Sequence, residues 1–199
     1  MKENKKSKIN VRILAGCGML SAAAIALQYL EFPIPIIPSF IKLDFSDLPE
    51  LIGAFAYGPL AGIVIALVKN LIHLAVSQSG YVGELSNFML GAVFSFAAGL
   101  IYKHNKTKKG ALIGGTVGAL CMALVSFPLN EFIVYPFYYN FMDKAAVLGM
   151  YQVILPKVQS IEQALLIFNL PFTFVKGLIC VAISMLIYKP LSSVLHGKG

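Results

Sequence analysis

Charge is what this sequence has least of. Only 13% of its 199 residues are Asp, Glu, Lys or Arg, while 58% are hydrophobic and mean hydropathy is +0.78. Soluble domains carry about 25% charged residues. So few charges cannot coat a globular surface, which excludes an ordinary water-soluble domain and points to a surface that faces lipid. Acidic residues are scarcest of all, nine against sixteen Lys and Arg, for a net charge of +7. Such a balance could serve nucleic acid, but the cations fall in patches between long apolar runs. They occupy an N-terminal tail (Lys2, Lys5, Lys6, Lys8, Arg12), a central loop (Lys103, Lys106, Lys108, Lys109) and the C-terminal end (Lys189, Lys198). The positive-inside rule produces this pattern, so no nucleic-acid partner is expected, and an anionic-lipid role for the tail stays open.

Cysteine is also sparse. Cys17, Cys121 and Cys180 sit singly in apolar segments, with neither a C-x-x-C pair nor a Cys/His cluster. A disulfide framework and a zinc site are therefore not expected, and the three read as small packing residues. There is no G-x-x-x-x-G-K-[ST] phosphate loop, no H-E-x-x-H and no G-x-S-x-G. Nothing resembles a selectivity-filter loop or an Arg-rich voltage sensor. The chain has no visible device for hydrolysing ATP and no hydrolytic machinery, so binding or transport is left, with no catalytic residue, metal or cofactor expected. No repeat of fixed period marks an inverted-repeat carrier.

What is present is a series of apolar segments. A helix needs about 20 apolar residues to cross a bilayer core. Spans are expected at 11–30, 60–76, 84–102, 110–132 and 161–188, with a shorter one at 47–57 beside which part of the segment "EFPIPIIP" re-enters. Pro33, Pro35 and Pro38 stop the first helix and favour extended backbone. Residues 133–160, rich in Tyr and Phe, read as an interfacial segment with short helices. The expectation is an all-α membrane protein: one membrane-embedded domain over 1–199, a basic tail over about 1–10, six transmembrane helices and a proline-rich outer loop after the first. No A-x-A-like cleavage site marks a removed signal peptide. Six spans put both termini on one side, and their basic residues make that side cytoplasmic at the plasma membrane. The acidic loop, "SQSGYVG" and 133–160 then lie outside.

Polar residues inside such segments need a reason, since a bilayer-centre Lys or Asp costs about 2.5–3.5 kcal/mol on insertion scales. Lys176 lies mid-span, and Asn169, Thr173 and Lys176, spaced 4 and 3 apart, share a helical face. Pro171 within the same stretch can bend the helix and free a carbonyl near Ile167. Lys69, Asn70 and His73 form a second set; Lys69 is expected to pair with an acid such as Glu84 or Asp47, and His73 to be a satisfied histidine. Asn87, Asn130 and Glu131 complete the inventory, all in the outer half. In "KLDFSDLPELIG", Asp44, Asp47 and Glu50 fall within seven positions. They are expected to cap a helix, with Ser46 or Asp47 as N-cap, Pro49 in the first turn and Glu50 against the helix dipole, pinning the proline segment as a lid. Gly18, Ala22 and Ala26 make a small-residue row that either packs internally or docks a partner helix.

"FPIPIIPSFIKLDFSDLPELIGAFAYGPLAGIVIALVKNLIH", with "GELSNFMLG" and "FNLPFTFVKG", resembles the riboflavin-specific substrate-binding subunits (S components) of energy-coupling-factor transporters, over nearly the whole chain. The resemblance implies a six-helix protein that binds riboflavin from outside. It implies as partners a transmembrane coupling subunit and two cytoplasmic ATPases. It implies ligand contacts from Asn130, Thr173 and Lys176, then Asn169, Leu43, Asp44, Leu48, Gly83 and Asn87, with Gly18, Ala22 and Ala26 facing the coupling subunit. At Thr173 the chain carries a hydroxyl where the resemblance implies an amide. The alternatives are another vitamin or purine-like ligand on the same scaffold, a membrane enzyme using Lys69, His73 and Glu84, or a self-sufficient secondary carrier.

Overall fold

The computed structural model describes residues 11–187. The expected tail over 1–10 and the C-terminal lysines lie outside the described residues. Helix α1 (Val11–Tyr29) leads into a two-stranded antiparallel hairpin, β1 (Phe32–Pro33) and β2 (Lys42–Leu43), in which Phe32 pairs with Leu43. Helices α2 (Asp47–Tyr57), α3 (Pro59–His73), α4 (Val82–His104) and α5 (Lys108–Leu129) follow. A π turn, Asn130–Val134, then leads into α6 (Tyr135–Tyr138). Next come α7 (Lys144–Ile154), α8 (Ile161–Ala164), a second π turn, Leu165–Asn169, and α9 (Leu170–Leu186).

Among the described residues, five helical stretches are long and apolar enough to cross a membrane: Val11–Tyr29, Pro59–Val76, Val82–His104, Lys108–Tyr138 and Ile161–Leu186. The short span expected at 47–57 is α2, whose 11 residues rise about 16 Å. It stops at Gly58, which holds φ 101°, a left-handed value that glycine adopts without a Cβ clash, and Pro59 then starts α3. The proline segment is the hairpin with its turns; of the segment expected to be interfacial, 133–138 instead completes the Lys108–Tyr138 stretch, and α7 lies beyond it.

Helices in lipid gain no hydrophobic energy by leaving it, so their packing rests on close van der Waals contact and small residues. At Gly118 an added Cβ would stand 2.6 Å from the Phe94 carbonyl oxygen, and at Gly114 2.7 Å from that of Ala98, so α5 lies against the α4 backbone. Gly177 brings α9 equally near Ala119 of α5. Leu51, Phe55, Phe94, Tyr102, Met122 and Val181 fill the core between these helices, and Cys17 and Cys180 are buried packing residues. A second cluster, built from Tyr135, Val147, Tyr151, Ile161 and Leu165, joins α6, α7 and α8.

Candidate functional site

The two π turns shape the site. Each is followed by a proline in the next helical stretch, Pro136 after one and Pro171 after the other. Proline has no N–H for the regular ladder, and a π turn widens the helix where the ladder is interrupted. Pro171, where the sequence predicts a bend, closely follows the second of these turns. Asn130 opens the first π turn and Asn169 closes the second, and both line a cavity of about 850 Å³.

Asn130 donates one amide proton to the Ser126 carbonyl at 2.7 Å. Asn169 is held by two tyrosines: Tyr151 donates to its Oδ1 at 2.7 Å, and its Nδ2 donates to the Tyr135 hydroxyl at 3.2 Å. Those two hydroxyls also bond each other. Thr173 donates to the Asn169 carbonyl at 2.8 Å and lines the cavity. Burial pushes the Tyr151 phenol up, so it stays a neutral donor. No periodicity links Tyr135, Tyr151 and Asn169, and the sequence reading passes over the tyrosines.

Lys176, one turn beyond Thr173, donates to Asp44 Oδ2 at 2.9 Å and to Asp47 Oδ2 at 3.0 Å. Behind this pair stands Lys69, fully buried, 3.1 Å from Asp47 Oδ1, 2.6 Å from Glu50 Oε1 and bonded to Ser46 Oγ at 2.5 Å. The acidic cluster is thus the counter-charge of two lysines that would otherwise stand uncompensated among apolar helices. Burial pushes the Asp44 carboxyl up, but the Lys176 ammonium, with Lys69 behind it, outweighs burial and holds it well below the usual carboxylate range. Ser46 stands at the N-cap position of α2 with Asp47 and Glu50 in the first turn, as expected, but the side-chain cap itself is corrected. Ser46 makes no capping bond to α2; its backbone N–H donates to Asp44 Oδ1 at 2.8 Å and its hydroxyl donates to the same oxygen. The Asp47 carboxylate faces the lysines. Sequence spacing could not show this, because Asp44 and Lys176 lie 132 positions apart.

On another wall Glu84 accepts from Ser77 Oγ at 2.7 Å and Ser79 Oγ at 2.9 Å, and lies 3.0 Å from His73 Nδ1. His73 also packs its ring on Tyr29. It is satisfied as expected, and Glu84 serves it rather than Lys69. Lys69 does not line the cavity, so Lys69, His73 and Glu84 do not converge on one point. Gly83 and Asn87 line the cavity with Asn130, Asn169, Thr173, Lys176 and Asp44. Leu43 and Leu48 do not: Leu43 is buried within the hairpin's second strand, and Leu48 packs on the Leu51–Phe94 core. Phe40, Ile41 and Lys42 of the hairpin close over one side, tied by a 2.5 Å Lys42–Glu31 ion pair.

Gly18, Ala22 and Ala26 all lie on the exposed face of α1, and an added Cβ at Gly18 would meet nothing within 4 Å. The opposite face, Gly16, Cys17, Ser21, Ala24 and Gln28, is the buried one. The small-residue row is therefore not used for packing within the chain.

Residues 12–188 match the family described as ECF transporter, substrate-specific component. The chain is 35% identical over 195 residues to the riboflavin transporter RibU of Staphylococcus aureus (strain TCH60), covering 96% of this chain and 98% of that one. It is 30% identical over 183 residues to the riboflavin transporter FmnP of Bacillus subtilis (strain 168), covering 90% and 92%. A solved structure of the S component of a bacterial ECF transporter superposes with a TM-score of 0.72 at 34% identity, over 92% of this chain and 96% of that one. ThiT from Listeria monocytogenes shares the fold alone, with a TM-score of 0.64 at 12% identity over the same shares. Matched in sequence over nearly its whole length and in architecture over almost as much, the chain belongs to the family of substrate-specific components of ECF transporters.

Proposed function

We propose that this chain is the riboflavin-binding S component of an ECF-type importer, capturing riboflavin outside the cell and delivering it inward. The observation that carries the reading is the cavity of about 850 Å³, inside the range of about 300–1,000 Å³ usual for small-molecule sites. Its wall combines aromatic and apolar side chains with a short polar row, Asn130, Asn169, Thr173 and Lys176. A flavin needs this mixture. Its uracil-like edge presents carbonyls and an N–H that amides, a hydroxyl and an ammonium can pair, its dimethylbenzene edge needs an apolar wall, and its ribityl chain needs polar partners. Asp44, Gly83 and Asn87 belong to the same site; Leu43 and Leu48 support it from behind.

Counting α2 with the hairpin beside it as one crossing, and adding the five long helices, gives six, with both termini on the cytoplasmic side under the positive-inside rule. The hairpin is then an outer lid over the cavity. The exposed row Gly18, Ala22 and Ala26 is the docking strip for a transmembrane coupling subunit, which two cytoplasmic ATPases drive. The chain's own lack of a phosphate loop agrees with energy supplied by other chains.

The test is a visible absorption spectrum of the protein purified in detergent from cells grown with riboflavin. A yellow preparation holding flavin at near-equal stoichiometry is expected. A colourless preparation that also fails to quench added riboflavin fluorescence would leave the scaffold and discard the ligand.

A further inference from the structure

Of the two π-turn amides on the cavity wall, one is set by its own helix and the other from outside it. Asn130 donates to the Ser126 carbonyl one turn back. Asn169 takes its side-chain bonds from Tyr151 of α7, 18 positions earlier, and from Tyr135 of α6, 34 positions earlier. Tyr135 lines the cavity; Tyr151 does not.

The direction of these bonds follows from counting hydrogens. A tyrosine hydroxyl has one. That of Tyr151 goes to Asn169 Oδ1, so the bond between the two hydroxyls is donated by Tyr135, whose oxygen in turn accepts from Asn169 Nδ2. The bonds therefore close a cycle that runs one way, from the amide to Tyr135, on to Tyr151 and back to the amide. Each group both donates and accepts, and in such a chain each bond polarises the next. The surround is apolar and close. Both tyrosines are fully buried, Phe40 of the hairpin meets their rings edge-on at 6.3 and 6.1 Å, and Phe168 packs on Tyr151 at 5.3 Å. Turning the amide away from the hydroxyls would strand buried donors and acceptors, which is costly in such a place.

An amide offers two N–H donors and two acceptor positions. The cycle takes one of each. One N–H and one lone pair of Asn169 remain, and they belong to a residue on the cavity wall. The backbone at this point is held as well, by the Thr173 hydroxyl on the Asn169 carbonyl at 2.8 Å.

We propose that Tyr151, although outside the cavity, is a positioning residue for ligand binding: through the hydroxyl cycle it locks the Asn169 amide so that its remaining N–H is presented to a flavin carbonyl. The inference rests on the riboflavin reading above and adds α7 to what holds the ligand. A donor already ordered before the ligand arrives binds more tightly than one that must be ordered on binding.

Tyr151→Phe removes one hydroxyl from the cycle and nothing from the cavity wall. Its affinity for riboflavin, measured in detergent by flavin fluorescence quenching, is expected to fall about tenfold, the order of one hydrogen bond. Added to Asn169→Ala, the same change is expected to cost less than about twofold, because the group it positions is gone. Affinity within about twofold of wild type in Tyr151→Phe overturns the inference, and a lowered melting temperature beside it would mark the cycle as purely structural. A tenfold loss that persists undiminished in Asn169→Ala also overturns it, since Tyr151 then acts through something else. Should Asn169→Ala bind too weakly to titrate, infrared spectra of carbonyl-labelled riboflavin decide. The flavin carbonyl bands are expected to shift between wild type and Tyr151→Phe, and unmoved bands overturn the inference. Tyr135→Phe breaks the same cycle and takes the place of Tyr151→Phe if that variant does not fold. Failure of riboflavin to bind the wild-type chain would instead sink the functional reading, and the inference with it.

Discussion

Replacing Lys69 by methionine should be the most damaging single change away from the cavity wall. Methionine keeps most of the side-chain length and removes the ammonium. Lys69 contacts Asp47 at 3.1 Å, Glu50 at 2.6 Å and Ser46 at 2.5 Å, with its side chain wholly buried. Asp47 would still have Lys176 at 3.0 Å, but Glu50 would have no cation, and its second oxygen lies against Gly91 of α4 with no donor. Removing one partner of a buried ion pair costs about 3–5 kcal/mol, because the remaining charge is stranded. For a chain of this size each kcal/mol moves the midpoint by about 2–4 °C, so the expected fall is about 6–20 °C. The chain has no tryptophan, but Cys17 and Cys180 are buried, so a thiol-reactive dye added during heating reports unfolding through them. The double variant Lys69→Met/Glu50→Gln should recover more than about half of the loss, since it removes the stranded carboxylate as well. A single variant melting within 2 °C of wild type, or a double variant no better than the single, would refute the counter-charge account of the acidic cluster.

Lys176→Ala should weaken riboflavin binding by about 1.5–3 kcal/mol, or about 10–150-fold in Kd, because it deletes a charged donor; unchanged affinity in a fluorescence titration would remove Lys176 from the site. Ala22→Trp or Ala26→Trp, on the exposed face of α1, should leave binding intact and abolish uptake in cells; loss of both together would mean that the row serves folding. Deleting residues 33–40 should speed riboflavin dissociation measured by stopped-flow, and an unchanged rate would end the lid reading of the hairpin. For pH, the sign follows from Asp44, whose carboxyl is held below its ordinary value of 3.8. A depressed carboxylate contributes above its unfolded pKa and loses that contribution only as pH falls through the lower folded value. Dissociation should therefore stay flat from pH 7 to about 4.5, and a rise within that window would refute the Asp44–Lys176 contact as what holds the hairpin.

The long helices were legible because apolar length alone defines a span, and prolines, glycines and the basic loop mark the ends. The polar face of Asn169, Thr173 and Lys176 was legible for a similar reason: spacings of 4 and 3 need only local helical geometry, and the structure places all three on the cavity. What resisted reading were relations between distant elements. The acidic run looked like a helix cap because Ser46, Asp47, Pro49 and Glu50 satisfy the local rules for one, yet two lysines in α3 and α9 impose a stronger demand on the same carboxylates. Leu43 and Leu48 flank lining residues in sequence but do not line the cavity themselves; on a strand, successive side chains alternate faces. Tyr135 and Tyr151 carry no signal beyond aromatic richness, and only folding brings both hydroxyls to Asn169.

Asp47 ties the segment that follows the hairpin to two helices at once. Its two oxygens serve different lysines, Oδ1 toward Lys69 of α3 and Oδ2 toward Lys176 of α9. Asp44, immediately after the hairpin, meets the same Lys176. The hairpin's other tie, Lys42 to Glu31, is about 30% exposed on each side, and exposed pairs contribute about 0–1 kcal/mol. Its firm attachment is therefore the buried one, which passes through Lys176. A change that removes the Lys176 ammonium therefore also removes the hairpin's buried anchor at Asp44. The hairpin and α9 are thus joined through one ammonium and the two acids that share it.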